Sequence, residues 1–346
     1  MKNLTYIICI LIIFFKTGNV LSNNDIFNVN NIEINKEIYK NKDNLVNQAF
    51  KNGFKTLIKR LLLEKDYKRI SNTDLDQIKK LISYYQIFSS NEEVNSKNIK
   101  LNIFFDKKKF HNFFYEKNIL YSDIINTEVI LFPLLIVENQ VYIYAKNFFY
   151  KNWNNLDSNN LIEYTLPVES IENIQKIESK KNNIYQLNIS DFFKEYETKN
   201  MVFTVIEISE SIVKVFLNTN ISGKNLKKTL SINTENISQK DLNNKIIFEI
   251  KKEIQDLIKS QNLIDVRTPS FLNVEIKIND KNNLVEFKNR ANKIGLINDF
   301  YIQQLNKDYV LIKIKYLGKI NNIINKLKDQ NIDLKIKNGQ WHLTII

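Results

Sequence analysis

Between residues 25 and 34 apolar and polar positions alternate (Ile26, Phe27, Val29, Ile32, Ile34), which predicts a strand or hairpin with one buried face. The period then changes. Val46, Phe50, Phe54, Leu57, Ile58 and Leu61 recur at intervals of three and four, the stripe of a helix lying on a core. Gly53 sits inside that helix, where glycine costs about 1 kcal/mol relative to alanine, so a close neighbour is expected against its bare Cα. A second helix is predicted from a cap at Asn72 or Thr73, with Leu75, Ile78, Leu81 and Ile82 inward. Two strands come next, Tyr85–Ser89 and Lys97–Phe105, joined by the polar loop Asn91–Ser96. Asp106 ends the second and reads as the cap of a short basic helix, Lys107–Lys117, that carries Phe110, Phe113 and Phe114.

From Val129 to Ile136 the apolar run is continuous, as in a central strand buried on both faces. Val141–Tyr144 and Ile162–Val168 read as strands, a helix is predicted to open at Ser190, and three strands are expected at Met201–Ile208, Ile212–Asn218 and Lys228–Ile232. Ser238 through Asp241 resembles a capping box, and the helix behind it aligns Leu242, Ile246, Ile250, Ile254, Leu257 and Ile258. Arg267-Thr268-Pro269-Ser270 is the best linker, because proline breaks both helix and ladder. Beyond it come a strand at Phe271–Ile278, a helix ending at Gly295, a hairpin at Phe300–Tyr316, a helix after Gly318, and strands either side of Asn338-Gly339, a two-residue hairpin signal.

This order predicts an α+β protein: two small αβ domains with antiparallel or mixed sheets, at 23–126 and 127–268, then a C-terminal ferredoxin-like βαββαβ unit with an extra strand, at 269–346. Residues 1–22 read as a secretory signal: Lys2, the apolar run Leu4–Phe15, and a cleavage site at Val20-Leu21-Ser22. The alternative is an uncleaved anchor, since Lys16 interrupts the run and the run is short for a bilayer. Cys9 lies in the run without a lipoprotein-like setting. Cleavage leaves no cysteine, hence no disulfide, thiolate ligand or cysteine nucleophile, and lowers the charge from +12 by two lysines to +10. No integral span is then expected.

Composition weakens the charge as a clue. Lysine is scattered among acids in a chain with roughly 50 Asn, a skew that an AT-rich genome produces unaided, so nucleic acid is not an expected partner. Six isolated glycines exclude phosphate-cradling and dinucleotide loops, and no cofactor is expected. His111 and His342 are the only imidazoles; they fall in different expected domains and read as surface or edge residues, with no Gly-x-Ser-x-Gly turn to complete a triad. No metal ligand set and no catalytic residue are assigned. Asp106 is the best acid for carboxylate chemistry, with the helix cap as its plainer role. The basic Lys107-Lys108-Lys109 segment reads first as the wet face of its helix. Phe148, Phe149, Tyr150 and Trp153 are the interface candidates, aromatic residues interleaved with Lys151 and Asn152, with half-buried packing as the competing reading.

Four motifs come in succession: Phe27-Asn28-Val29 through Ile34; Gln48-Ala49-Phe50-Lys51-Asn52-Gly53-Phe54 ending in Leu61-Leu62; Ile103-Phe104-Phe105-Asp106; and Phe132-Pro133-Leu134-Leu135. Together they resemble the bacterial envelope family called domain of unknown function 2066, over most of the mature chain and most strongly over 25–137. Lys, Asn and Ile stand where relatives often carry Ala, Arg and Leu. The resemblance implies a Gram-negative exported protein without assigned activity and supplies no catalytic residues. Export, modular α+β units and the missing catalytic groups lead to one expectation: a non-enzymatic periplasmic or envelope protein that works by binding, as an assembly accessory with an envelope protein partner. The alternative is a carboxylate-dependent hydrolase of envelope glycan. Oligomeric state is not legible.

Overall fold

A computed structural model describes residues 26–39, 41–88, 97–124, 126–155, 161–196, 200–209, 211–234, 238–277 and 283–346. The expected leader and the loop expected at 91–96 lie outside the described residues. The fold is mixed α+β. In chain order it runs β1 (Asn28–Asn35), α1 (Lys42–Leu61), α2 (Glu64–Ile70), α3 (Leu75–Leu81), β2 (Ile82–Phe88), β3 (Asn98–Phe105), α4 (Lys107–Lys117), β4 (Tyr121–Ser122), β5 (Thr127–Val137), β6 (Gln140–Tyr142), α5 (Phe148–Asn152) and β7 (Ile162–Thr165). It continues with α6 (Ile171–Ser179), β8 (Asn200–Ile208), β9 (Ile212–Ile221), β10 (Lys224–Asn233), α7 (Gln239–Ser260), β11 (Leu263–Ile264), β12 (Ser270–Lys277), α8 (Asn283–Ala291), β13 (Ile297–Leu305), β14 (Tyr309–Tyr316), α9 (Ile320–Asp329), β15 (Ile332–Lys337) and β16 (Gln340–Ile345).

The chain divides into two compact units. One holds the stretches up to Leu57, Thr73–Glu116 and Ser270–Ile346; the other holds Ile58–Asn72 and Lys117–Pro269. The stretches expected as separate first and last domains therefore fall in one unit, and the first division lies within α1.

In the first unit an antiparallel sheet of order β1-β3-β2 buries Val29, Ile32, Leu101 and Ile103 on one face. That face is closed by aromatic packing: Phe110 of α4 lies 5.7 Å from Phe27, 6.1 Å from Phe54 and 5.4 Å from Phe105. Gly53 has the close neighbour its position requires, since a Cβ there would stand 2.8 Å from the terminal methyls of both Ile32 and Ile103. Helix α3 is capped by Asp74, which accepts from the Gln77 amide, rather than by Asn72 or Thr73. Ile82, expected in that helix, opens β2 instead. A second sheet of order β13-β14-β12-β16-β15 buries Val274, Ile312 and Ile314 together with Phe287 of α8 and Ile323 and Leu327 of α9. Its last strand, β16, runs parallel to β12 and separates it from β15. The hairpin at Asn338-Gly339 forms as its residues require, both with positive φ (51° and 78°).

The second unit is built on β5, whose neighbours are β8 and β7, both parallel, and antiparallel β6, in a sheet of order β10-β9-β8-β5-β6. Alternate residues feed two separate cores. Val129, Leu131 and Leu135 pack with Ile246, Ile250 and Ile254 of α7; Ile130, Phe132 and Leu134 pack with Ile177 of α6, Phe192 and Phe203. This two-sided burial accounts for the unbroken apolar run. Pro133 is tolerated mid-strand because its carbonyl accepts from Asn147 Nδ2 at 2.9 Å. A strand residue points its N–H and C=O the same way, so the missing donor faces Asn147 too and no ladder bond to β8 is lost. Ser238 caps α7 through the Asp241 amide, as its spacing indicated. The helix expected from Ser190 is a single 3₁₀ turn, Ile189–Phe192, capped by Asn188. Helices α2 and α6 lie where no helix was expected.

Candidate functional site

A broad concave surface lies in the first unit, over the outer face of the β1-β3-β2 sheet. Because side chains alternate across a strand, burying Leu101, Ile103 and Phe105 turns Asn102 and Phe104 outward. Strand pairing then arranges those outward residues in rungs. Asn28 stands opposite Phe104 and Phe104 opposite Tyr84; the adjoining rung pairs Gln86 with Asn102. Tyr84 and Phe104 stack with ring centres 4.2 Å apart and planes 11° from parallel, and Tyr84 stays 50% exposed. Phe88, on the same side of β2, is 48% exposed. These residues floor a groove of about 910 Å³ that continues to Asp106, Lys107 and β13 residues Asn298 and Asp299.

The two carboxylates in the groove have local duties, while Lys107 and Lys108 line its edge. Asp106 Oδ1 accepts from the Lys109 amide at 3.1 Å, capping α4. Asp299 Oδ1 accepts from the Phe300 amide at 2.9 Å. His111, read from sequence as a surface or edge residue, is buried at the base of the groove beside Phe27, with ring centres 6.0 Å apart. Burial, with the positive charge of Lys107 adding to it, pushes its imidazole down to about 4, so it is neutral at pH 7. His342 lies in β16, 3.4 Å from Glu275. The arrangement offers ring faces and side-chain amides in alternate rungs, which suits an uncharged polar chain better than an ion.

The second unit holds a smaller cavity of about 120 Å³ at the C-terminal end of α1, lined by α2 and α7. Lys259, 3% exposed, donates to the carbonyls of Lys59 and Leu62, both at 2.7 Å, satisfying the last turn of α1. Burial lowers its ammonium to about 8, with nearby Asp256 opposing the shift. Asp256 accepts from the Glu64 amide at 3.1 Å at the start of α2, and its own burial raises its carboxyl. The readable sign of this site was two lysines, Lys251 and Lys259, eight apart inside the apolar stripe of α7.

The interface candidates are not an exposed patch. Phe149 and Trp153 are 0% exposed in the core beneath β5. Phe148 is partly buried against the same core, and Tyr150 against the opposite one, its hydroxyl donating to the Pro167 carbonyl at 2.6 Å. The cause is Asn147, itself fully buried, which donates to Pro133 and accepts from the Phe149 amide, fastening the aromatic turn to β5. The basic segment Lys107–Lys109 keeps its lysines half-buried or exposed while Phe110, Phe113 and Phe114 enter the core. Among the described residues no cluster of three or more His, Cys, Asp or Glu is placed to hold a metal ion, and no helix is long and apolar enough to cross a membrane.

Comparison with protein-family models, with curated proteins and with solved structures returned no match.

Proposed function

We propose that this chain is an exported, non-enzymatic binding protein of a bacterial envelope, and that the groove over the β1-β3-β2 sheet receives an uncharged glycan strand. The observation that supports it is the outward rung of Asn28, Phe104 and Tyr84 beside that of Asn102 and Gln86. A sugar ring presents an apolar face to an aromatic ring and hydroxyls to amides, so alternating rungs match its two chemistries. Export rests on the leader-like residues 1–22, and the resemblance to the envelope family points the same way. The C-terminal unit is read as a ferredoxin-like variant in which β16 wedges between β12 and β15.

The test is titration of soluble β-linked amino-sugar oligosaccharides into the purified protein and its Tyr84→Ala variant by calorimetry. Saturable binding by the parent, weakened at least roughly tenfold in the variant, is the expected result, since base-like stacking contacts contribute ~1–3 kcal/mol. Release of new reducing ends, lost in Asp106→Ala, is the outcome that replaces this reading with the glycan hydrolase. A second reading, an envelope protein as partner, draws on β2 being an edge strand whose Tyr85, Ile87 and Phe88 are all exposed. Recovery of one defined envelope protein, abolished by proline at an edge position of β2, with no oligosaccharide binding, favours it over the first.

A further inference from the structure

Strand β2 leaves one edge of its sheet open among the described strands, and every residue from Ser83 to Phe88 is exposed. An open edge is a row of N–H and C=O groups ready to pair with another chain, and proteins ordinarily guard it with charge, proline, a bulge or brevity. The other edge strands keep to that rule: β1 carries Glu33, β7 Glu163, β10 Lys227, β13 Asp299 and β15 Lys335, and β6 is three residues long. β2 reads Ile-Ser-Tyr-Tyr-Gln-Ile-Phe, with neither charge nor proline. Its ladder to β3 shifts register between Ile82 and Tyr84 and is regular from Tyr84 to Phe88, so the free edge of that stretch is straight enough to template a further strand.

The stretch from Tyr84 to Phe88 is complementary to itself. Laid antiparallel on a second copy with Gln86 opposite Gln86, Tyr84 falls opposite Phe88 and Tyr85 opposite Ile87. The first pair lies on the groove face of the sheet, the second on its inner face, where Tyr85 already packs against Phe50 with ring centres 5.1 Å apart. Aromatic pairs and aromatic–β-branched pairs are the favourable cross-strand combinations, and the two Gln86 side chains at the centre each bring both a donor and an acceptor. Centring the pairing on Tyr85 would instead set Ile87 against Ser83 and Tyr84 against Gln86, apolar against polar. Neutrality points to the same occupant, since self-pairing of a strand without charge brings no like charges together, whereas the lysines of β10 would repel their own copies. We infer that β2 pairs antiparallel with β2 of a second copy of this chain, with Gln86 on the two-fold axis. That axis stands perpendicular to the sheet, so the two copies contribute three strands each to one sheet and their grooves lie on the same face. The inference is independent of the glycan, and it differs from the second reading above in giving the edge to a copy of this chain.

Sedimentation equilibrium of the purified full chain tests this without any ligand. The parent is expected to show a reversible monomer–dimer equilibrium at concentrations up to about 100 μM, far above the micromolar Kd of a modest interface. Gln86→Glu and Gln86→Lys each set two like charges face to face on the axis, and each is expected to raise the dimer dissociation constant at least roughly tenfold. Both should keep the unfolding midpoint of the dilute monomer, because residue 86 is exposed there. An equimolar mixture of the two variants is expected to restore the dimer, one chain of each kind, since this register brings their opposite charges together. Should a charge at 86 prevent folding, Ile87→Lys, which sets an ammonium opposite Tyr85 of the other copy, is expected to dissociate the dimer and decides in its place. A parent that stays monomeric throughout, a dimer undiminished in the substituted variants, or a mixture that does not reassociate overturns the proposal. A monomeric parent that captures an envelope protein and loses it in these same variants would give the edge to the other reading.

Discussion

Two aromatic segments of similar composition have opposite fates in this molecule. Ile82–Phe88 carries Tyr84, Tyr85 and Phe88 on an edge strand, and all three are exposed. Phe148–Trp153 carries four aromatic residues, two of them fully buried. Local sequence does not separate them; the backbone partners of each segment do. Asn147 ties the second segment to the carbonyl of a strand buried on both sides. Among the described strands the first segment pairs on one side only, with β3, and its rings stay 43–50% exposed. An aromatic run is thus weak as a sign of an interface until its backbone partners are known.

The largest effect expected from this contrast is on stability. Trp153→Ala should cost about 3–5 kcal/mol in urea unfolding, the range for emptying a large aromatic from a closed core, whereas Tyr84→Ala should cost under about 1 kcal/mol. Equal losses would erase the distinction. Next comes the acid dependence of the first unit. The folded-state imidazole of His111 titrates near 4 and the unfolded one near 6.5, so the unfolded chain holds more protons between those values. Stability is therefore full above about pH 6.5 and falls as the pH drops toward 4, by on the order of 3 kcal/mol. Unfolding curves of His111→Leu should lack that portion; an unchanged slope would remove His111 as its cause.

Asn147→Ala tests the fastening itself. It deletes a cap and leaves a buried carbonyl without its donor, and about 2 kcal/mol of destabilisation is expected, with Trp153 emission shifting to the red as water reaches the turn. Smallest is Gly53→Ala. The added methyl meets Ile32 and Ile103 at 2.8 Å, a clash of about 1–3 kcal/mol, and the gain in helix propensity offsets about 1 kcal/mol of it. A net loss near 1 kcal/mol is expected, and a stabilised protein would mean those isoleucines have room to turn.

Periodicity made much of the frame legible. The α1 stripe, the β5 run, the Ser238 cap and the Asn338-Gly339 hairpin can each be read from contiguous residues, the first two from the spacing of apolar positions and the last two from capping and turn chemistry. The features that were not legible depend on partners far along the chain. Asp74 rather than Thr73 caps α3 because the chain turns one residue later, after the unforeseen α2. His111 looks polar in sequence and is enclosed only once β1 and β3 pair above its helix. The groove's floor required the register that sets Phe104 against Tyr84 and Asn28, which no alternation pattern specifies. For the cavity a trace existed, Lys251 and Lys259 placed where the α7 stripe demands apolar residues, though apolar stems that snorkel make lysines at a stripe edge unremarkable.

Amide hydrogen exchange with and without a saturating amino-sugar oligosaccharide tests the central claim most directly, because it locates the ligand without any substitution. Slowed exchange concentrated in β2 and β3, with the α5 segment unaffected, is the result this account requires. Protection confined to Phe148–Trp153, or none anywhere while the oligosaccharide is demonstrably bound, would contradict it.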